Sequence, residues 1–177
     1  MKESSSIAYT VAKRFLARYA PHEVAAFQSR MIHIHLPHGS TPKDGPSAGM
    51  ALTASLLSLG LNTPVVPDVA MTGELTLTGQ VTSIGGLKEK LLAARRANIK
   101  HVIIPHGNRA EFAEVAEDAP ELVAEVEIYF VKTFEEAMKI LFPTITMPNS
   151  ATSSSATQQR SIPPLPIAPP MNEATME

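Results

Sequence analysis

The chain has 177 residues, a length that suits one compact domain, and 44% of them are hydrophobic, which is enough to bury a core. Its formal net charge of -2, without any Lys/Arg run, gives no reason to expect a nucleic-acid partner. The absence of cysteine excludes disulfides, cysteine-ligated zinc and a thiol nucleophile, and no apolar stretch reaches the roughly 20 residues that a membrane span needs.

Hydrophobic periodicity predicts helices and strands in alternation along the first 142 residues. Gly60 is expected to end the second helix, and Thr133 with Glu136 forms a capping box before the last one. The expected helices are 7–20, 46–58, 87–98, 109–117 and 134–142, and the expected strands are 31–36, 69–78, 80–84, 101–104 and 126–131. This order predicts an α/β or α+β domain with a mixed sheet and packed helices.

The composition changes after Pro143. Residues 143–177 are rich in serine and proline and carry almost no charge, so they cannot bury enough apolar surface to offset the entropy of ordering. The predicted organisation is therefore a globular domain over 1–142 followed by a disordered tail over 143–177.

Without cysteine, the candidate nucleophiles are hydroxyls, and Ser47 is the notable one. It lies in the segment Lys43–Gly49, at the predicted first turn of a helix. Unpaired backbone N–H groups and the helix dipole favour negative charge there, as an oxyanion requires. The same pattern also fits a closely packed helix start that has no chemical role.

A serine nucleophile needs a base, and both histidine and lysine are available. His33 and His35 share one face of a predicted strand and could form a metal pair, but a solvated strand face explains them as well. Lys88 follows Gly85-Gly86-Leu87 in the first turn of the third helix. A lysine with the ordinary pKa of about 10.4 loses its proton near neutral pH only at a cost of roughly 4 kcal/mol. Lys88 and Lys90 also fit ordinary solvated lysines.

The segment Thr41–Gly49 resembles the catalytic-serine motif of Lon proteases. Other segments resemble the same family in the same order, namely Met1–Ser4, Ile32–His35, Ala70–Glu74 and Gly85–Lys90. The similarity continues to Pro105 and covers most of residues 1–142.

The resemblance implies a Lon-type proteolytic domain whose fold is similar to the second domain of ribosomal protein S5. By position, Ser47 would attack the peptide carbonyl and Lys88 would be its general base. Backbone N–H groups near Ser47 would form the oxyanion hole. The supporting residues that the resemblance implies are Thr72, whose hydroxyl would support the lysine, and Asp44, Glu74, His33 and His35.

In the family, strands of the proteolytic domain precede the segment that corresponds to Met1–Ser4, and the full-length proteins also carry an ATPase module. This chain begins at that segment. It contains no Gly-x-x-x-x-Gly-Lys-Ser/Thr motif. We therefore expect no metal and no cofactor in this chain, with ATP and Mg only in the missing ATPase module. The expected partners are unfolded protein or peptide substrates and copies of the chain itself, as a hexamer in the full-length family, without a membrane or nucleic acid.

Two other functions remain open at this point. The chain could be an inactive truncated fragment or pseudoenzyme that binds or assembles without cleaving. It could also bind a small molecule or RNA on the same fold, with phosphate at the helix start of Pro46 and Ser47. The Ser/Pro-rich tail indicates a eukaryotic protein, and therefore the mitochondrial matrix or the peroxisome. Because the chain does not end in the peroxisomal Ser-Lys-Leu signal, we expect the mitochondrial matrix, with the peroxisome and the bacterial cytoplasm as alternatives.

Overall fold

The computed structural model describes residues 2–35 and 45–145, and all structural statements concern these residues. This part of the chain contains helices and strands in alternation. The helices are α1 (Lys2–Tyr19), α2 (Val24–Ser29), α3 (Gly49–Leu61), α4 (Leu87–Arg96), α5 (Arg109–Asp118) and α6 (Phe134–Leu141); the strands are β1 (Val69–Met71), β2 (Glu74–Leu75), β3 (Val81–Thr82), β4 (His101–Pro105) and β5 (Glu127–Val131). Short 3-10 turns lie at Pro21–Glu23, His106–Asn108 and Pro120–Leu122.

The strands form two separate sheets. A parallel sheet has the order β1-β4-β5, and β2 pairs with β3 as an antiparallel hairpin. Parallel neighbours need long crossover connections, which α4 and α5 help to supply. The predicted α/β class is therefore confirmed, while the expected mixed sheet is replaced, within the described residues, by one parallel and one antiparallel sheet.

Alternation along β4 divides the core between the two faces of the parallel sheet. Ile103 packs in one hydrophobic cluster with α1, α3 and α6, whereas Val102 and Ile104 pack in a second cluster with α4 and α5. Successive side chains of a strand point to opposite faces, so a short apolar strand can serve both layers. The sheet is consequently covered by helices on both sides.

Most of the predicted elements occur close to their expected bounds, with some corrections. The predicted strand over 31–36 is not formed within the described part of the chain, because residues 31–35 pair with no strand there. The strand predicted over 69–78 is interrupted after Met71, and the short α2 was not predicted. Of the predicted tail over 143–177, residues 146–177 lie outside the described part of the chain.

Helix α3 differs from its prediction at both ends. It begins at Gly49 rather than Pro46, and it continues past Gly60 to Leu61, with Asn62 in the left-handed region as its C-cap. A Cβ at Gly60 would lie 2.5 Å from Cδ1 of Leu16 on α1. This glycine therefore allows two helices to approach closely and does not end the helix.

The capping box at α6 is present in a modified form. The Thr133 hydroxyl accepts a hydrogen bond from the Glu136 N–H at 3.3 Å, while the Glu136 carboxylate accepts from the N–H of Lys132.

Among the described helices, none combines the length and the apolar character that crossing a membrane requires.

Tyr19 at the end of α1 connects this helix to α6. Its hydroxyl donates to Oε1 of Glu135 at 2.8 Å, and Arg18 pairs with Oε2 of the same carboxylate at 3.1 Å. Burial, followed by the hydrogen bond and the charge of Glu135, raises the pKa of Tyr19 to about 12.

We predict that Tyr19→Phe lowers the free energy of unfolding by about 1–2 kcal/mol near neutral pH, because a hydrogen bond to a charged group is lost. Below a pH of about 10 the tyrosine is neutral in both the folded and unfolded chains, so its contribution is complete. Between this pH and the folded-state pKa of about 12, the unfolded chain ionises first and the contribution declines. Urea unfolding of both proteins across this range checks the prediction, which a constant difference would contradict.

Candidate active site

Ser47 lies in the turn directly before α3, whose N-cap, Ala48, offers no side-chain hydrogen bond. The Ser47 carbonyl oxygen accepts two hydrogen bonds, from the Gly73 N–H at 3.1 Å and from the Thr72 hydroxyl at 3.3 Å. The segment that follows β1 thus holds the backbone of Ser47. The side chain of Ser47 is half-buried and lies at the end of the parallel sheet.

Close packing at Gly73 supports this arrangement. The Gly73 carbonyl accepts from the N–H of Met50 at 3.4 Å, and a Cβ on Gly73 would lie 2.5 Å from Sδ of Met50 and 2.8 Å from Cγ1 of Val81. A Cβ on Gly49 would lie 3.1 Å from two atoms of Leu75. A side chain at Gly73 would therefore force its neighbours apart, and one at Gly49 would need Leu75 to shift slightly, so both glycines help the start of α3 to lie close to the backbone after β1.

Thr72 directly follows the carboxyl end of β1. Its N–H donates to the carbonyl oxygen of Ile103 in β4 at 3.0 Å, so it continues beside the neighbouring strand after β1 ends. The residue is 7% exposed. In open α/β sheets, ligands bind at the carboxyl ends of the strands, and this is the region where Ser47 and Thr72 meet.

An open cleft of about 500 Å³ lies next to these residues, between the start of α3, strand β1 and helix α4. Its polar side chains are those of Ser47, Thr72 and Lys90. The rest of the lining is aliphatic and consists of Ala48, Ala51, Ala70, Met71, Leu87, Leu91, Ala93, Ala94, Ala97, Ile99, Val102 and Ile104. The arrangement therefore brings two hydroxyl groups and one amine to a largely apolar cleft.

Lys90, and not Lys88, lines this cleft. Lys90 is half-buried, and its Nζ donates to the carbonyl oxygen of Gly85 at 2.9 Å. Lys88 is exposed on another side of α4 and is not part of the cleft lining. The expectation that Lys88 faces Ser47 therefore has to be corrected, because a helix turns 100° per residue and presents these two lysines in different directions.

The sequence contained a signal for Lys90. Leu87, Leu91 and Ala94 are the buried residues of α4. Lys90 lies three positions after Leu87 and four before Ala94, so it shares a face with two of them, whereas Lys88 has this relation to Leu91 alone. Comparing both lysines with the buried face would have favoured Lys90.

The other expected site residues are not brought to this cleft. Glu74 is exposed and lines a smaller cavity with Glu3, Ser4 and Pro46. Asp44 lies outside the described residues.

His33 and His35 are exposed and line a neighbouring cleft that shares Ala48 and Ala51 with the first. Neither belongs to a cluster of three or more potential metal ligands, since the described part of the chain contains no such cluster.

The expected oxyanion hole is limited by bonds that the helix start already makes. The Gly49 N–H donates to the carbonyl oxygen of Pro46 at 3.1 Å, and the Met50 N–H donates to Gly73. An oxyanion hole near Ser47 has to use other donors than these two groups in this conformation.

The chain also matches a family of known proteins over most of its length. The family model of the Lon protease (S16) C-terminal proteolytic domain matches residues 1–144. The chain belongs to the Lon protease family. The match includes α1 to α6 and both sheets, so the cleft lies within the Lon proteolytic domain.

Relatives in this family come from bacteria and from eukaryotes. The chain is 46% identical over 142 residues to Lon protease of Fusobacterium nucleatum, covering 80% of this chain and 18% of that protein. It is 51% identical over 143 residues to the mitochondrial Lon protease homolog of Caenorhabditis elegans, covering 80% and 14%. The chloroplastic/mitochondrial Lon protease homolog 4 of Arabidopsis thaliana is 48% identical over 142 residues, covering 80% and 15%. The chain thus spans less than a fifth of each relative.

We predict that Gly73→Ala destabilises the protein by about 1–3 kcal/mol, because the added methyl group would overlap buried side chains of Met50 and Val81. Gly85→Ala is the matched control, since a Cβ there meets nothing within 4 Å. Urea unfolding of both variants measures the effect. Equal stability of the two variants would show that the backbone after β1 can move away from α3 at little cost.

Proposed function

We propose that this chain is the serine-peptidase core of a Lon protease, with Ser47 as nucleophile and Lys90 as general base. The observation that supports it is that Ser47 and Lys90 line the same cleft in a chain of the Lon family, while the hydroxyl of Thr72, which also lines it, donates to the Ser47 carbonyl. The family resemblance implied Lys88, but the exposed position of that residue outside the cleft favours Lys90.

In the proposed reaction the Ser47 hydroxyl attacks the carbonyl carbon of a peptide bond while the neutral amine of Lys90 takes its proton. The resulting ammonium then returns a proton to the leaving amine, and water hydrolyses the acyl-enzyme. Lys90 donates to Gly85 in this structure, so its Nζ has to turn from that carbonyl towards Ser47. Catalytic hydrogen bonds are often loose without substrate and tighten when it binds.

The proposed role of Thr72 is to hold the nucleophile. In this structure its hydroxyl donates to the Ser47 carbonyl, and with the Gly73 N–H it fixes the turn that carries the serine. This differs from the role implied by the family resemblance, in which the threonine hydroxyl supports the lysine. A precise serine position is important, because a displacement of about 1 Å can lower a rate by roughly 100-fold.

The remaining functional assignments concern the longer protein that the relatives represent. We propose that such a protein degrades misfolded or regulatory proteins as a hexamer, and that ATP and Mg bind in an ATPase module outside this chain. This chain alone would act on peptides or unfolded chains. A mitochondrial matrix location stays a prediction, since the relatives include mitochondrial homologues and a bacterial Lon protease.

We predict that Ser47→Ala and Lys90→Ala each lower cleavage of an unstructured fluorogenic peptide by roughly 1,000-fold or more, because each removes one member of a unit that acts together. Lys88→Ala, two residues away on the same helix, should retain activity within about twofold, because this exposed side chain is outside the cleft.

The same three variants separate the alternatives. Loss of activity in Lys88→Ala with retention in Lys90→Ala would assign the base to Lys88 after all. Peptidase activity that survives Ser47→Ala would remove the proposed nucleophile. A wild-type chain that folds and binds peptide without cleaving it would favour an inactive fragment.

We predict that Thr72→Val lowers kcat about tenfold, because valine keeps the shape of threonine but cannot donate to the Ser47 carbonyl. Thr72→Ser, which keeps the hydroxyl group, should recover most of the activity. Steady-state kinetics with the same peptide measure both variants. Equal kcat values for the valine and serine variants would show that this hydrogen bond is dispensable.

A further inference from the structure

Two polar side chains hold the two ends of the loop that precedes α4. One comes from the 3-10 turn after β4 and the other from α5. The loop consists of Gly85 and Gly86, and it is flanked by Ile84 and Leu87. Consecutive glycines have more backbone freedom than any other residue pair, so a fixed conformation here needs external contacts. These contacts come from Asn108 and Glu111.

Asn108 holds the first end of the loop. It is 3% exposed, its Nδ2 donates to the carbonyl oxygen of Ile84 at 2.8 Å, and its Oδ1 accepts from the Ile84 N–H at 3.0 Å. The side-chain amide thereby bonds to both backbone polar groups of one residue, as a neighbouring strand would. Ile84 is fixed although the strand before it has ended.

Glu111 holds the second end. Its Oε1 accepts from the Leu87 N–H at 3.3 Å, and its Oε2 accepts from Nδ2 of Asn108 at 2.6 Å. The N-cap of α4 is Gly86, at φ +69°, which has no side chain with which to cap the helix. Glu111 on α5 therefore supplies the capping carboxylate, where a helix start has unpaired donors and favours negative charge.

The clamped loop carries the hydrogen-bond acceptor of Lys90. The Gly85 carbonyl oxygen receives the Lys90 Nζ at 2.9 Å, and Lys90 lies in the first turn of the helix that Glu111 caps. Movement of the loop or fraying of this turn would displace both the amine and its acceptor.

We propose that Asn108 and Glu111 are positioning residues for Lys90, which keep its amine at the cleft by fixing the Gly85–Gly86 loop and the first turn of α4. They do not line the cleft and so act through Lys90 without touching a substrate. This inference rests on the proposed function, in which Lys90 is the base. It extends the active site to α5, a helix that contributes no residue to the cleft.

The test uses the full chain with three variants on α5. Glu111→Ala removes both acceptor oxygens, Glu111→Gln keeps one, and Glu114→Ala changes an exposed glutamate of the same helix. We expect Glu111→Ala to lower kcat by roughly 10- to 100-fold with KM within about twofold, Glu111→Gln to lie between it and wild type, and Glu114→Ala to match wild type. Amide hydrogen exchange should accelerate over residues 84–90 in Glu111→Ala alone.

The outcomes are distinguishable from failure of the proposed function. If Ser47→Ala or Lys90→Ala leaves cleavage intact, the proposed function fails, whereas the amide exchange of residues 84–90 still reports whether Glu111 holds the loop. If both of those variants are inactive but Glu111→Ala has wild-type kcat, the positioning role is overturned. A loss of activity in Glu111→Ala with faster exchange across the whole domain also overturns it, because Glu111 would then stabilise the fold in general.

Discussion

The arrangement of the cleft depends on the hydrogen bonds to the carbonyl oxygen of Ser47. Two donors that follow β1, the Thr72 hydroxyl and the Gly73 N–H, bind this oxygen and so hold the turn before α3, a helix whose N-cap makes no side-chain hydrogen bond. The donors belong to a segment that also bonds to β4, the central strand of the parallel sheet. A reactive side chain on such a support is held more accurately than one on a free loop.

The two sides of the cleft come from opposite faces of the sheet. Helix α3, which follows Ser47, packs in the cluster with α1 and α6, and helix α4, which carries Lys90, packs in the cluster with α5. They approach each other beside β1, which has a described neighbour on one side only. Each side has its own polar anchor: the backbone after β1 for α3, and the pair of Asn108 and Glu111 for α4.

Periodicity predicted the elements whose environment is simple. Helices α1 and α6 have one buried face, and β4 is a short β-branched run, so their patterns were sufficient. Within the described part of the chain, residues 31–35 form no strand, and α3 continues past Gly60, because pairing and close packing depend on residues that are distant in the chain. Likewise Ser47 was singled out by its own motif, whereas the presence of Lys90 rather than Lys88 at the cleft depends on the orientation of α4 against the sheet.

The double-sided packing of β4 has a consequence for errors in folding. A slip of one position against β1 or β5 would turn Ile103 towards α4 and both Val102 and Ile104 towards α3, which exchanges the two halves of the core. Both helices that border the cleft would then lose the β4 side chains against which they pack. A mispaired molecule would therefore lose the cleft between α3 and α4 together with the packing of its core.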